Sequence, residues 1–166
     1  YAGAPGAWLL LSGSGGYGFL ATVENMISRQ KAGKAFISLG EGEVVCRPSP
    51  ANVPAPAGTV PDGVYLPATH VACVSASRRV LTFEISELKP MAGGGRGLML
   101  MDLDNKDSLA GAAAYTRSVR ITGTFRDKER EEVLEIRTLN NARAARGRKG
   151  KDGSFVFKPT TVERIE

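Results

Sequence analysis

The sequence predicts an all-β chain assembled from repeated, blade-like sheets, and three observations support this. The segment from Tyr17 to Leu39 returns without a gap as Arg79 to Met101, and a looser third copy follows. Apolar and polar residues alternate with a period of two inside the copies, as they do in strands with one buried face. Signals for helices are almost absent. Self-similarity over several tens of residues is typical of propellers and related arrays.

The copies match position by position. In the first two, the matched pairs are Phe19 and Leu81, Val23 and Ile85, Met26 and Leu88, and the turns Gly33-Lys34-Ala35 and Gly95-Arg96-Gly97. In the third copy, Leu134, Ile136 and Leu139 take the places of Phe83, Ile85 and Leu88, and Arg146-Gly-Arg-Lys-Gly150 supplies the basic turn. The same unit is therefore present about three times.

Each copy predicts the same series of three or four short strands. An apolar run opens it, at Trp8 to Gly13, Val71 to Val74 and Val119 to Thr122. A polar turn, an alternating strand and a basic, glycine-containing turn come next. A last apolar run follows, at Ala35 to Leu39, Gly97 to Leu103 and Ser154 to Phe157. The blade-like units lie near residues 7–47, 69–116 and 117–166 of a single domain spanning 1–166, and Ser108 to Ala114 fits either a helix or a fourth strand.

A proline-rich connector, residues 47–68, separates the first two units. It holds six of the nine prolines and shows no periodicity, and proline withholds the backbone donor that a sheet needs. Since the same repeat resumes afterwards, we interpret it as an enlarged loop between blades rather than a flexible interdomain linker.

Composition narrows the class of protein. The 166 residues are 42% hydrophobic, enough for one domain or a compact piece of a larger array. The chain begins without Met or a signal-peptide pattern, so we expect a longer parent. No apolar run approaches the ~18 residues of a membrane span, so no membrane partner is predicted. Cys46 and Cys73 lie in strand-like patterns, which favours reduced core thiols and a cytoplasmic protein.

Charge is sorted along the repeats. The turn windows 27–38, 88–101 and 138–151 contain ten of the 22 basic residues and none of the 17 acidic ones, which leaves 12 basic and 17 acidic residues elsewhere. The ten are Arg29, Lys31, Lys34, Lys89, Arg96, Arg143, Arg146, Arg148, Lys149 and Lys151. A single such window is ordinarily a solvated surface. Positive charge at the same turn of every repeat predicts a basic rim instead.

A rim of Lys, Arg and glycine suits a polyanionic backbone bound without regard to sequence. Among the three windows, only Phe36 supplies an aromatic ring, so duplex DNA is favoured over single strands, which need stacking rings. The alternative from another class is a propeller-like protein-interaction module whose rim binds an acidic partner.

No catalytic or metal site is predicted. His70 is the only histidine, and a structural role is favoured for it. Gly13-Ser14-Gly15-Gly16 and Gly93-Gly94-Gly95 lack the Lys-Ser/Thr ending of a phosphate loop, so they predict tight turns. Asp102, Asp104 and Asp107 lack the glycine and terminal glutamate of a calcium loop.

Gly16-Tyr-Gly-Phe-Leu-Ala-Thr22, followed by Arg29-Gln-Lys-Ala-Gly-Lys-Ala35 and an apolar strand, resembles the C-terminal domain of the A subunit of bacterial type IIA topoisomerases, topoisomerase IV most of all. The resemblance runs from Trp8 to Ile165, and Arg146-Gly-Arg-Lys-Gly150 is similar to the family's last blade. It implies a β-pinwheel of four-stranded blades, here about three in an open partial ring, that binds and bends duplex DNA along its rim.

The family resemblance also sets expectations for a parent enzyme. Gyrase carries Gln-Arg-Arg-Gly-Gly-Lys-Gly where this chain reads Arg29 to Ala35, with Gly33 and Lys34 kept, which favours topoisomerase IV over a gyrase wrapping domain. The implied parent is an ATP-dependent isomerase that uses Mg²⁺, contains a second type of protein chain (the B subunit), and passes one duplex through another in the bacterial cytoplasm and nucleoid. Its nucleophile, metal ligands and ATPase are expected outside this chain, which holds no cofactor. None of Tyr1, Tyr17, Tyr65 and Tyr115 is assigned as nucleophile.

Overall fold

The computed structural model describes residues 8–26, 36–54 and 65–165. Within them the chain is built almost entirely of strands, and every pairing between strands is antiparallel. The strands are β1 (Trp8–Ser12), β2 (Tyr17–Thr22), β3 (Ser49–Pro50), β4 (Asn52–Pro54), β5 (Tyr65–Pro67), β6 (His70–Ser75), β7 (Arg79–Glu84), β8 (Leu98–Met99), β9 (Leu109–Tyr115), β10 (Ser118–Phe125), β11 (Lys128–Glu135), β12 (Lys151–Asp152) and β13 (Lys158–Ile165).

Short helical turns follow the second strand of each repeat. They are α1 (Val23–Met26), a 3₁₀ turn at Ile85–Glu87, α2 (Ile136–Leu139) and a 3₁₀ turn at Asn140–Ala142. The amide of Ile85 donates to the carbonyl of Thr69 (3.0 Å), and that of Ile136 donates to Arg117 (2.8 Å). The equivalence of Ile85 and Ile136 that the sequence predicted is therefore confirmed.

Three larger sheets are each built on one hairpin, with further strands paired along it. The first has the order β3-β1-β2-β8, the second β12-β7-β6-β9, and the third β11-β10-β13. A fourth sheet is the small β4–β5 hairpin. Buried residues face each other across the central hairpins, as Val71 faces Phe83 and Val119 faces Leu134.

Each of the two four-stranded sheets borrows one edge strand from the next repeat. Strand β8 belongs to the second repeat but pairs with β2, where Leu98 lies opposite Gly18. Strand β12 belongs to the third repeat but pairs with β7, where Lys151 lies opposite Val80. Each four-stranded sheet therefore combines strands of one sequence unit with an edge strand that the next unit contributes.

Glycine makes the first exchange possible. Gly97 enters β8 with a φ of +86°, and a Cβ there would lie 2.2 Å from the carbonyl oxygen of Gly18. Only a residue without a side chain allows this approach and this backbone conformation. The glycine of the basic turn thus allows β8 to pair with β2 of the preceding blade.

The hydrophobic core lies between the blades. Leu10 and Leu100 pack with Val71, Leu81 and Phe83 between the first and second sheets. The opposite face of the second sheet carries Val74 and Tyr115, and these pack with Val119, Ile121 and Val162 of the third. The second sheet therefore contributes its two faces to different layers, as expected for a stacked array.

The segment Ser108 to Ala114, which fitted either a helix or a fourth strand, is resolved as a strand, because Leu109–Tyr115 is β9. Other sequence expectations need correction. In the third repeat Ser154 to Phe157 is not a strand, and the strands on either side of it are Lys151–Asp152 and Lys158–Ile165. The connector 47–68 is not one loop, since it supplies β3 and the β4–β5 hairpin; residues 55–64 lie outside the described part.

Cys46 and Cys73 are buried free thiols of one core cluster, and burial raises the pKa of both. In the described ranges, no helix has the length and apolar character needed to cross a membrane.

Candidate functional site

The basic turns of the second and third repeats each lie along the preceding repeat. The carbonyl of Lys89 accepts from the amide of Leu20 (3.3 Å), and the amide of Ala144 donates to Thr82 (3.0 Å). Thr82 holds in β7 the position that Leu20 holds in β2, so the two turns occupy equivalent sites. Of the predicted contact residues, Arg29, Lys31 and Lys34 lie outside the described residues.

Arg96 is bound to a carboxylate of the first repeat. Its guanidinium donates to Glu43 at 2.7 and 3.2 Å and lies 4.3 Å from the centroid of the Tyr17 ring. The hydrogen bonds from Arg96 lower the pKa of Glu43 and raise the pKa of Arg96. Much of the charge that Arg96 brings to the rim is therefore compensated.

Lys149 repeats this arrangement one blade further on. It lies two residues before β12, as Arg96 lies two residues before β8, and its ammonium donates to Asp104 at 2.5 Å. A second carboxylate, Asp102, lies 3.5 Å away. The hydrogen bond from Lys149 lowers the pKa of Asp104. In both repeats a cation before the exchanged strand binds an acidic loop of the preceding repeat.

Arg143 and Arg146 also contact the second repeat. Arg143 forms an ion pair with Glu84 at 2.5 Å. Arg146 donates to the backbone carbonyls of Glu87 (3.1 Å) and Met99 (2.6 Å), and its amide donates to the Glu87 carboxylate (3.1 Å). These arginines link the third repeat to the second.

Three of the predicted residues project into solvent. Lys89, Arg148 and Lys151 are exposed, and no side-chain partner is found for them within the described ranges. The structure thus divides the seven described members of the predicted rim into four that bind protein groups and three that remain open to a ligand. Sequence windows give the same weight to both kinds.

Sequence reasoning overlooked two further arginines, Arg78 and Arg79, at the tip of the β6–β7 hairpin. Arg78 has a φ of +73°, and its Nε donates to the carbonyl of Phe157 (3.1 Å). Arg79 donates to the carbonyl of Gly150 (2.9 Å). No sequence signal marked them, because Gly16 and Tyr17 fill the matching positions of the first repeat.

The groups considered for catalysis or for metal binding have structural partners. The Nδ1 atom of His70 lies 2.7 Å from the Thr69 hydroxyl, and its ring stacks on Tyr115. Burial, and then the charge of Arg143, lower the pKa of His70. Asp107 accepts from the amide and hydroxyl of Ser77. Across the described residues, no cluster of three or more His, Cys, Asp or Glu could hold a metal ion.

Comparison with known proteins gives similar sequences in a single class. The chain is 39% identical over 111 residues to the A subunit of DNA topoisomerase 4 of Neisseria gonorrhoeae, covering 67% of this chain and 13% of that protein. It is 30% identical over 146 residues to the Haemophilus influenzae protein of the same name, covering 86% and 18%. The chain therefore spans less than a fifth of these relatives. No family model matches it.

Solved structures show the same fold. The E. coli ParC C-terminal domain aligns with a TM-score of 0.74 at 23% identity, covering 97% of this chain and 61% of that one. The DNA gyrase A C-terminal domain aligns with a TM-score of 0.63 at 17% identity, covering 89% and 43%. The predicted all-β, β-pinwheel fold is confirmed.

Proposed function

This chain belongs to the family of DNA topoisomerase 4 A subunits, as the counterpart of their C-terminal domain, and on that premise we propose that it is a non-catalytic module that binds duplex DNA. The DNA lies along the edge where the basic turns of successive blades recur. Contacts are to backbone phosphates, so binding does not depend on base sequence.

The equivalent placement of the basic turns is the observation that supports this proposal. The turns at Lys89 and Arg143 occupy the same site on successive blades, next to Leu20 and Thr82. Positive charge at the same point of neighbouring blades forms a row that a polyanion can follow. Since the exposed members Lys89, Arg148 and Lys151 lack protein partners within the described residues, we assign the direct phosphate contacts to them first.

We further propose that the row bends DNA. A duplex that follows cations on successive blades must curve with them, and the cost of bending is offset by the additional phosphate contacts. In a parent DNA topoisomerase, a bent or second segment held this way affects which substrates are decatenated or relaxed. The remainder of the A subunit, the B subunit, ATP and Mg²⁺ then carry out strand passage in the cytoplasm.

The test is a titration of a fluorescent duplex at several salt concentrations. If about three to five phosphates are neutralised, the slope of log K against log salt is roughly −3 to −4.5. Two duplexes of unrelated sequence are expected to give equal affinities. A slope near zero, absence of binding, or strong preference for one sequence contradicts the proposal and favours a protein-interaction module with an acidic partner.

The role in substrate choice has a separate test in the parent enzyme. Removing this region is expected to leave metal-dependent DNA cleavage in place while decatenation and relaxation decline. The described residues contain no group of three or more His, Cys, Asp or Glu that could hold a metal ion. Loss of cleavage in a folded truncation would show that the region takes part in chemistry.

A further inference from the structure

Two adjacent arginines at the β6–β7 hairpin are fixed in place without being neutralised. Each uses one guanidinium donor on a backbone carbonyl of the third repeat, Arg78 on Phe157 and Arg79 on Gly150. A guanidinium has five N–H donors, so most donors of both side chains remain unused by these bonds. Neither arginine forms an ion pair within the described residues.

The acceptor type distinguishes this pair from the predicted rim residues. Arg96, Arg143 and Lys149 bind carboxylates, so a phosphate must compete with an existing anion for them. A neutral carbonyl orients a guanidinium and leaves its full charge available. Fixed, charged guanidinium forks are the preferred ligands of phosphate oxygens.

The two arginines share a concave surface. They line a depression of about 550 Å³ together with Ser77, Asp152, Ser154 and Phe155. The one carboxylate in the lining, Asp152, accepts from the amide of Ser154 (3.0 Å). The charge of Arg79 also acts on Asp104, but the larger effect on this carboxylate comes from Lys149, which binds it directly.

The depression adjoins a residue of the candidate interface. Strand β12 places Asp152 opposite Arg79 and Lys151 opposite Val80. Lys151 is exposed and immediately precedes Asp152, so an exposed member of the candidate interface lies one residue from the lining of the depression.

We propose that Arg78 and Arg79 form a phosphate-binding site at the tip of the β6–β7 hairpin and contact two backbone phosphates of duplex DNA. This site rests on the proposed DNA-binding function and adds a contact point that the basic turns do not contain. It also shifts the DNA path toward the hairpin tips of the blades.

The test compares two double variants that each remove two positive charges. R78Q/R79Q removes the proposed site. R117Q/R137Q removes two exposed arginines at the end of the third blade that lies away from its β10–β11 turn. At that end the amide of Ile136 donates to the carbonyl of Arg117. For R78Q/R79Q we expect the salt slope to decrease in magnitude by about 1.8 and the affinity near 0.15 M salt to fall about 30-fold. R117Q/R137Q is expected to keep the wild-type slope.

A chemical measurement on the unaltered chain covers the case in which R78Q/R79Q folds poorly. Duplex DNA is expected to protect Arg78 and Arg79 from phenylglyoxal, read by mass spectrometry, while Arg117 and Arg137 stay reactive. Wild-type chain that binds DNA without protecting this pair, or equal losses in the two double variants, overturns the site and leaves the proposed function standing. Wild-type chain that does not bind DNA overturns both.

Discussion

The ion pair between Arg96 and Glu43 leads to an unusual prediction, that removing a carboxylate tightens DNA binding. In the native chain Glu43 accepts a hydrogen bond from the amide of Gly40 (2.8 Å) and forms an ion pair with Arg96 (2.7 Å). Glu43→Gln keeps an oxygen for the bond from Gly40 and removes the charge that holds Arg96. Arg96 then becomes free for one phosphate. One added phosphate contact steepens the log–log salt slope by about 0.9 and raises the affinity near 0.15 M salt about fivefold.

The control for this variant is Glu41→Gln. Glu41 is exposed and lies two residues from Glu43. Its substitution removes the same negative charge, and hence the same repulsion of DNA phosphates, without releasing a cation. We expect less than a twofold change and an unaltered slope. Both variants are measured by anisotropy of a labelled duplex at four salt concentrations. Equal gains, or weaker binding by Glu43→Gln, would refute the idea that carboxylates mask rim cations.

Three further predictions follow from the joints and the exposed charges. Gly97→Ala is expected to lower the free energy of unfolding by about 1 to 3 kcal/mol in urea titrations, because Gly97 has a positive φ and its Cβ would meet a backbone oxygen. The control is Gly93→Ala, since a Cβ at Gly93 would have no atom within 4 Å. It should change the free energy of unfolding by less than about 0.5 kcal/mol. Burial, and then the charge of Arg143, lower the pKa of His70 in the folded chain, so the unfolded state binds the proton first. Stability is therefore expected to fall as the pH drops below about 6.5, and His70→Gln should flatten that fall. Arg148→Gln should reduce DNA affinity more than Arg143→Gln, because Arg143 is already paired; the reverse order would count against the assignment of direct contacts.

The sequence predicted the hairpins β1–β2, β6–β7 and β10–β11 because they repeat. Strand β10 alternates buried and partly buried residues, whereas β1 and β6 are apolar runs that are buried along most of their length. The strand β9 was ambiguous because Leu109–Tyr115 is rich in alanine, which favours helices. Its small residues instead allow close packing, since a Cβ on Gly111 would lie 3.1 Å from the backbone of Val162.

The exchange of strands could not be predicted from the sequence. Strands β8 and β12 are two residues long, too short to carry a periodic pattern. Their partners lie in the preceding repeat, so pairing within one repeat was the natural expectation. What marked the exchange indirectly was glycine: Gly97 and Gly150 each directly precede an exchanged strand, and a Cβ on Gly150 would lie 2.8 Å from the carbonyl of Val80.

The candidate site shows why charge counting alone is insufficient. The windows contained no acidic residue, so every cation in them looked available, yet the carboxylates that bind Arg96 and Lys149 come from loops of the preceding repeat. Those loops are distant in sequence and adjacent only after strand exchange. The contacts that join consecutive blades therefore also neutralise some of the rim cations. The cations available to DNA are those that do not bind the preceding repeat. A variant that opened the joints would be expected to expose more charge and to lose the geometry that aligns it.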